Sequence, residues 1–427
     1  MDRVLAIILA GGRGERLSIL AQERAKPALP FAGKYRIIDF TMSNCANSGV
    51  RNLFLLTQYQ PMSLLEHIGI GAPWDFDRQG CLMRVVQAHL ASSRRGWYKG
   101  NADAVYQNLQ YIEEVGAELV LILSGDHVYK MDYSRMLKFH EETQADVTLA
   151  VTRLPGENLQ QFGTVQVDET GQVTNFREKS KAPKSNLVSM GVYLFKKDVL
   201  QLWLEEDARS MTSRHDFGKN ILPRIVGKAR IFAYDFDGYW RDVGTVQNYW
   251  QANMEMLEIS LGLLSDADWT IHTKEEERPP AVVSETAEVV NSWLSDGCII
   301  EGSVEHSLLS PGVRVAEGAV VKDSVILSDS IIGSHSTIDH SILDKEVVVA
   351  SGCYIGFGDD FRVNHSKPRV LNNGITIIGK KAKLPAEAKI GRNCVIHCGV
   401  TEEDFPTLEV PSGETVEPKR RRPTQRQ

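Results

Sequence analysis

Three stretches of the chain, together with Lys179 outside them, offer groups able to handle phosphate. The first, AGGRGERL at 10–17, sets Gly11, Gly12, Gly14 and Arg16 directly after an apolar run, VLAIILA at 4–10. Glycines let a backbone approach a polyphosphate closely, its N–H groups cradling the oxygens while a basic side chain balances their charge. RAKP at 24–27 follows, so Arg16 and Lys26 bracket the turn. Two well-known phosphate loops do not fit. A Walker A loop ends in Gly-Lys-Ser/Thr, where this one ends in Glu15-Arg16-Leu17, and the dinucleotide fingerprint needs a glycine where Leu17 stands. Taken alone, the segment also suits a plain glycine turn with surface cations.

The other two stretches supply carboxylates. Asp126, in LSGDHVYKMD, follows an apolar run, and Asp242, in YWRDVGT, follows IFAYDF at 231–236. Moving a nucleotidyl group onto a sugar phosphate brings two anions together, and positioning plus charge neutralisation supply the rate, normally with Mg²⁺ and basic side chains. Two strand-end aspartates suit such a metal, and Lys179 in FREKS suits a phosphate. Each residue alone equally fits a turn cap or a solvated surface position. His127 is read as structural, because this chemistry requires no acid–base histidine.

Such residues need a frame. VLAIILA, NLFLLTQY (52–59), ELVLILSGD (118–126) and DVTLAVTRL (146–154) are apolar runs of strand length. Segments such as ADAVYQNLQYIEEVGA (102–117) lie between them, with apolar residues three and four apart. This alternation predicts an α/β, Rossmann-like domain with a mixed, mostly parallel sheet over residues 1–264, binding ligands beyond the carboxyl ends of its strands. A helical pattern runs from Gln247 to about Leu264, and the polar stretch 265–290 reads as a linker. From Ile299 the period changes. Aliphatics recur at Val304, Leu309, Val315, Val321, Leu327, Ile332, Ile338, Leu343, Val349 and Ile355, then at Ile378, Leu384, Ile390 and Ile396, in steps of five or six. That spacing predicts a left-handed parallel β-helix over 291–412, with 357–377 as a loop leaving the coil. Residues 413–427, with the basic run KRRR (419–422), read as a flexible solvated tail.

Bulk composition narrows the function classes. The chain has 427 residues, 42% hydrophobic and 24% charged, with a net charge of −7, which disfavours a general nucleic-acid binder. Its six cysteines include no CxxC pair, and Cys394, His397 and Cys398 fall within the hexapeptide repeat, so neither a disulfide framework nor a zinc ribbon is indicated. The apolar stretch at the N-terminus is too short for a signal sequence or a membrane span, and a cytoplasmic protein is expected.

Together these motifs resemble the glucose-1-phosphate adenylyltransferases of bacterial glycogen synthesis. The resemblance covers nearly the whole chain, through AGGRGERL, RAKPALPFAGKYRIIDFTMSNCANSG (24–49), LTQYQ (56–60), SLLEHI (63–68), WYKGNADAVYQN (97–108), GDHVYKMDY (125–133), SMGVYLF (189–195), HDFGKNILP (215–223) and YWRDVGT. It implies the reaction of ATP with α-D-glucose 1-phosphate to give ADP-glucose and pyrophosphate. By matching motif, Gly11, Gly12, Gly14 and Arg16 hold the triphosphate, and Lys26 assists at the leaving pyrophosphate. Asp126 and Asp242 bind Mg²⁺, while Gln58 and Gly100 lie near the adenine. Glu178, Lys179, Ser189 and Gly191 hold glucose 1-phosphate, with Asp216 close by. The resemblance also implies a homotetramer controlled by phosphorylated metabolites, with Arg24 as a candidate effector residue. Three positions depart from the family pattern: Glu23 replaces a lysine common in members activated by fructose 1,6-bisphosphate, Asn101 a threonine, and Ser180 a proline. Other readings are a sugar-1-phosphate nucleotidyltransferase using UTP, dTTP or GTP, a noncatalytic regulatory subunit, and an acyltransferase using His335 or His340 of the coil.

Overall fold

A computed structural model describes residues 1, 3–88, 96–154 and 159–419. Two compact units emerge: Met1–Gly12, Ile37–Asp242 and Ala267–His272 form the first, and Arg13–Arg36, Val243–Asp266 and the chain from Thr273 form the second. Of the tail, positions 420–422 of the basic run lie outside the described residues.

In the first unit, β1 (Val4–Ala10), β2 (Asn52–Thr57), β3 (Leu82–Gln87) and β4 (Leu119–Ser124) run parallel in the order β4-β1-β2-β3. Strand β5 (His127–Tyr129) follows β4 closely in the chain but pairs elsewhere. The remaining strands of the large sheet are β6 (Val147–Arg153), β7 (Gly163–Val167), β8 (Val173–Glu178), β9 (Leu187–Lys196) and β10 (Ile231–Asp235). Strand β9 runs antiparallel to both β4 and β6, which makes the sheet mixed. Leu5, Ile7, Phe54 and Ile122 on one face and Ala6, Ile8, Leu55 and Leu121 on the other are at most 2% exposed, so the sheet is covered on both faces. The 102–117 stretch forms two helices, Asn101–Tyr106 and Leu109–Val115, interrupted at Gln107 and Asn108.

The second unit is built on a left-handed β-helix. Its three parallel sheets share strands of two to four residues, one from each face per turn. Inward ladders run Ile300–Val315–Ile332–Val349–Leu384 on one face and Val304–Val321–Ile338–Ile355–Ile390 on the next. Two aliphatics of the expected register are displaced by one residue: Ile300, not Ile299, and Ile326, not Leu327, join the coil's core. A strand pair that points alternately in and out accepts only one neighbour inside, and adjacent aliphatics hide which it is. After Phe357 the chain leaves the coil, returning at Thr376, where Leu343 pairs with Ile378.

The boundaries differ from those read off the sequence. Val282–Val283 and Glu288–Val290 already pair in the coil although they fall in the stretch read as linker, and Thr415–Val416 extends it past residue 412. Residues 13–36 and 243–266 belong to the second unit because they bind each other and the coil. Tyr249 Oη donates to the Pro30 carbonyl at 2.6 Å, Asn253 Oδ1 accepts the Ala32 N–H at 2.9 Å, and Trp250 Nε1 donates to the Asp323 carbonyl at 2.8 Å. Such tertiary bonds leave no local periodicity.

Candidate active site

Asp126 stands two residues beyond the last residue of β4, after Gly125. A Cβ on Gly125 would lie 2.9 Å from Ile8 Cγ2 and 3.1 Å from Ile38 Cδ1, so the chain turns off the sheet edge where only glycine fits comfortably. The turn leads into β5, which pairs antiparallel with β11 (Trp240–Asp242) and sets Asp242 opposite His127 and Trp240 opposite Tyr129. Two aspartates distant in sequence thus face one spot.

His127 occupies that spot too. Its Nε2 lies 3.6 Å from Asp126 Oδ1 and 4.0 Å from Asp242 Oδ1. Its Nδ1 is 3.0 Å from the Met190 carbonyl oxygen, an acceptor, so the ring proton sits on Nδ1 and Nε2 turns to the carboxylates. Ligand atoms of Asp126, His127 and Asp242 all lie within 4.8 Å of one another. A divalent cation with bonds of about 2.1 Å spans atoms up to about 4.2 Å apart, and the separations of 3.6 and 4.0 Å from Nε2 fall inside that reach. Two carboxylates facing one spot suit such an ion. His127, expected to be structural, thus stands at the same spot as the two aspartates while its Nδ1 ties it to the Met190 carbonyl. Its only sequence signal was adjacency to Asp126; the rest comes from the ribbon of β5 and β11.

The Met190 carbonyl belongs to an irregularity in β9, where pairing with β6 breaks between Ser189 and Tyr193. Gly191 sits there at φ 70°, a left-handed conformation natural to glycine, and a Cβ on it would come within 3.3 Å of His127 Cε1. Ser189 Oγ accepts the Gly191 N–H at 3.3 Å and donates toward Tyr193 Oη at 3.4 Å. The strand expected to hold the sugar phosphate therefore touches the carboxylate site through His127.

Glu178, Lys179 and Asp216 gather on the other side of Tyr193. Glu178 ends β8, and a Cβ on Gly163 or Gly218 would approach its Oε2 at 2.8 and 2.7 Å, so two glycines make room for the carboxylate. Burial pushes the Glu178 carboxyl above its ordinary value; Lys179 opposes the shift and Asp216 adds to it. Burial likewise raises the Tyr193 phenol, with Glu178 and Asp216 contributing. Lys179 Nζ is 3.9 Å from Glu178 Oε1 and half-exposed, on a backbone at φ 49° whose N–H donates to the Phe162 carbonyl at 3.0 Å. Asp216 caps the turn after it, accepting the Lys219 N–H at 2.9 Å. Tyr193 was not among the expected site residues; its role depends on the bulge, which the alternating pattern of β9 conceals.

Of the residues expected near the nucleotide, Gly11, Gly12 and Gln58 follow the ends of β1 and β2 in this unit. Gly11 follows β1, and a Cβ on it would come within 3.3 Å of Gln58 Cβ; one on Gly12 would meet no protein atom. Gln58 Nε2 donates to the Tyr98 carbonyl at 3.4 Å, and the neighbouring Tyr59 stacks on Trp97 with ring centroids 5.1 Å apart. Gly100 caps the helix Asn101–Tyr106 in extended conformation.

The other expected residues belong to the second unit. Gly14 adopts φ 65°, and a Cβ there would stand 2.8 Å from Ala21 Cβ. Arg16 is exposed, whereas Lys26 is buried, 6% exposed. Arg24, expected at an effector site, is instead buried, its Nη2 donating to both Asp344 oxygens at 2.8 and 2.9 Å. The exposed charge pair beside it is Glu23 with Lys380, 3.7 Å apart.

Comparison with known proteins gives the chain its family. The nucleotidyl transferase family model matches residues 5–259, and that of the GlmU-like C-terminal hexapeptide matches residues 279–378. A glucose-1-phosphate adenylyltransferase from Thermomicrobium roseum is 51% identical over 98% of this chain and 98% of its own length. Enzymes of the same name from Acetivibrio thermocellus and Thermotoga neapolitana are 45% and 43% identical, over 97% and 98% of this chain and 97% and 100% of their own. A glycine turn after the first strand, two aspartates at a sheet edge and a hexapeptide coil thus occur together in a chain matched end to end, and the protein belongs to the glucose-1-phosphate adenylyltransferase family.

Proposed function

We propose that this enzyme transfers AMP from ATP to α-D-glucose 1-phosphate, releasing pyrophosphate and forming ADP-glucose for α-glucan synthesis. The observation that carries the reading is the convergence of Asp126, Asp242 and His127 beside the β9 bulge that bears Ser189 and Gly191. Mg²⁺ bound by Asp126 and Asp242 would neutralise charge on the phosphates of both substrates. The sugar-phosphate oxygen attacks the α-phosphorus in line with the departing pyrophosphate. Gly11, Gly12 and Gly14 admit the triphosphate, and Arg16 and Lys26 balance its charge. Gln58 and Gly100 meet the adenine. Lys179 holds the sugar phosphate, while Glu178, with Ser189, Gly191 and Asp216, receives the glucose.

The wider reading comprises a cytoplasmic homotetramer governed by phosphorylated metabolites. Among the described residues no helix is long and apolar enough to cross a membrane. Glu23 stands against Lys380, which supports a site that disfavours a doubly phosphorylated activator.

Incubation with ATP, glucose 1-phosphate and Mg²⁺, followed by mass analysis, should yield ADP-glucose and pyrophosphate in equal amounts. Asp126→Asn should lower kcat at least about a hundredfold, the scale of losing a group central to charge stabilisation. Near-wild-type turnover in that variant would remove Asp126 from the mechanism.

A further inference from the structure

A second carboxylate–imidazole pair lies within the first unit, and the reaction as proposed does not use it. His215 Nδ1 is 2.8 Å from Asp207 Oδ2, and Asp207 is 2% exposed. The other oxygen of Asp207 accepts from Ser213 Oγ at 2.6 Å, and Ser213 Oγ in turn accepts the His215 N–H at 2.9 Å. Arg224 Nη1 reaches Asp207 Oδ1 at 3.5 Å. His215 is thereby held by its side chain and its backbone, and it needs to be: its φ is 52°, a left-handed conformation that a residue with a side chain keeps only when its surroundings enforce it.

The enforced backbone reaches two loops. The His215 carbonyl accepts the Ala102 N–H at 2.9 Å, at the start of the helix that Gly100 caps, and a Cβ on Gly100 would stand only 2.2 Å from that oxygen. The next residue is Asp216, and Phe217 N–H donates to Asn101 Oδ1 at 2.8 Å, closing the same seam from its far side. Gly100 serves the nucleotide and Asp216 the sugar in the proposed reaction. The proposed reaction assigns His215 no place at the reacting atoms; its contacts run to the two loops.

We propose that His215, anchored on Asp207, is a positioning residue coupling the nucleotide loop at Gly100 to the sugar loop at Asp216, so that affinities for ATP and glucose 1-phosphate are set together. This inference rests on the proposed reaction.

The test separates side-chain anchoring from backbone conformation. Asparagine retains a donor and tolerates left-handed φ, whereas glycine accepts the backbone and lacks the anchor. His215→Asn should leave both KM values within about twofold of wild type, and His215→Gly should raise both by about fivefold or more, with kcat within about twofold, the scale of one lost hydrogen bond. Asp207→Asn, which keeps the shape but removes the charge, should shift both KM values in the same direction and serves if His215→Gly fails to fold. A pair that merely holds the fold would lower the melting temperature while leaving KM untouched, and that result overturns the coupling. A rise in only one KM overturns it as well. Absence of ADP-glucose from the wild-type enzyme would overturn the reaction itself and this inference with it, whereas unchanged KM values in active variants overturn the inference alone.

Discussion

Glu178 shows how one residue can be costly to the fold and useful to the site. Its carboxyl is pushed above the ordinary value of 4.5 mainly by burial, so ionising it costs more in the folded chain than in the unfolded one. The folded state therefore binds the proton more tightly, and stability falls as pH rises from the ordinary glutamate range through the raised value. Glu178→Gln removes that penalty: it should melt at a higher temperature than wild type at neutral pH, with the difference closing below about pH 4.5, where both states carry the proton. The same variant should raise KM for glucose 1-phosphate about tenfold, as expected for losing a hydrogen bond to a charged acceptor. Melting curves across pH, with kinetics at pH 7, check both, and a lower melting temperature at neutral pH would contradict the account. Asp126 and Asp242 were legible from sequence because each follows a strand-like run. His127, Tyr193 and Asp207 were not, since their meaning comes from partners brought close only by the fold.

At the scale of elements, the coil was legible in outline and not in register. Successive residues of a strand face opposite ways, so where two aliphatics adjoin, spacing alone does not say which faces in. Ile331 and Ile332 make a clean comparison, because one is 42% exposed and the other fully buried. Ile332→Ala should destabilise the coil by about 2–5 kcal/mol, and Ile331→Ala by no more than about 0.5–1 kcal/mol. Denaturant unfolding would measure both, and equal losses would mean that the inward ladder is misassigned. The strands of the first unit were readable as apolar runs. The bulge in β9 was not, although it joins the sugar strand to the carboxylates through the Met190 carbonyl. A bulge is a mismatch between partners, and no single strand records it.

At the scale of the whole molecule, the sequence announced two architectures, and the compact units of the structure divide the chain differently from the bounds read off it. Residues 13–36 read as part of the first domain because they continue from its first strand, yet they pack on the helix Val246–Leu263 and on the coil. Arg24 makes the point: a residue expected at an effector site is buried against Asp344, far along the chain. The identity of the reaction is more robust than these boundaries, because it rests on motifs spread through the whole length and on relatives matched end to end. The central claim is the choice of nucleotide, and pyrophosphate release with glucose 1-phosphate and Mg²⁺, measured separately with ATP, UTP, dTTP and GTP, tests it most directly. Release should be fastest with ATP by at least about tenfold, the scale of one base-specific hydrogen-bond pattern. Faster release with any of the other three would contradict the assignment, while leaving the carboxylate site and its chemistry in place.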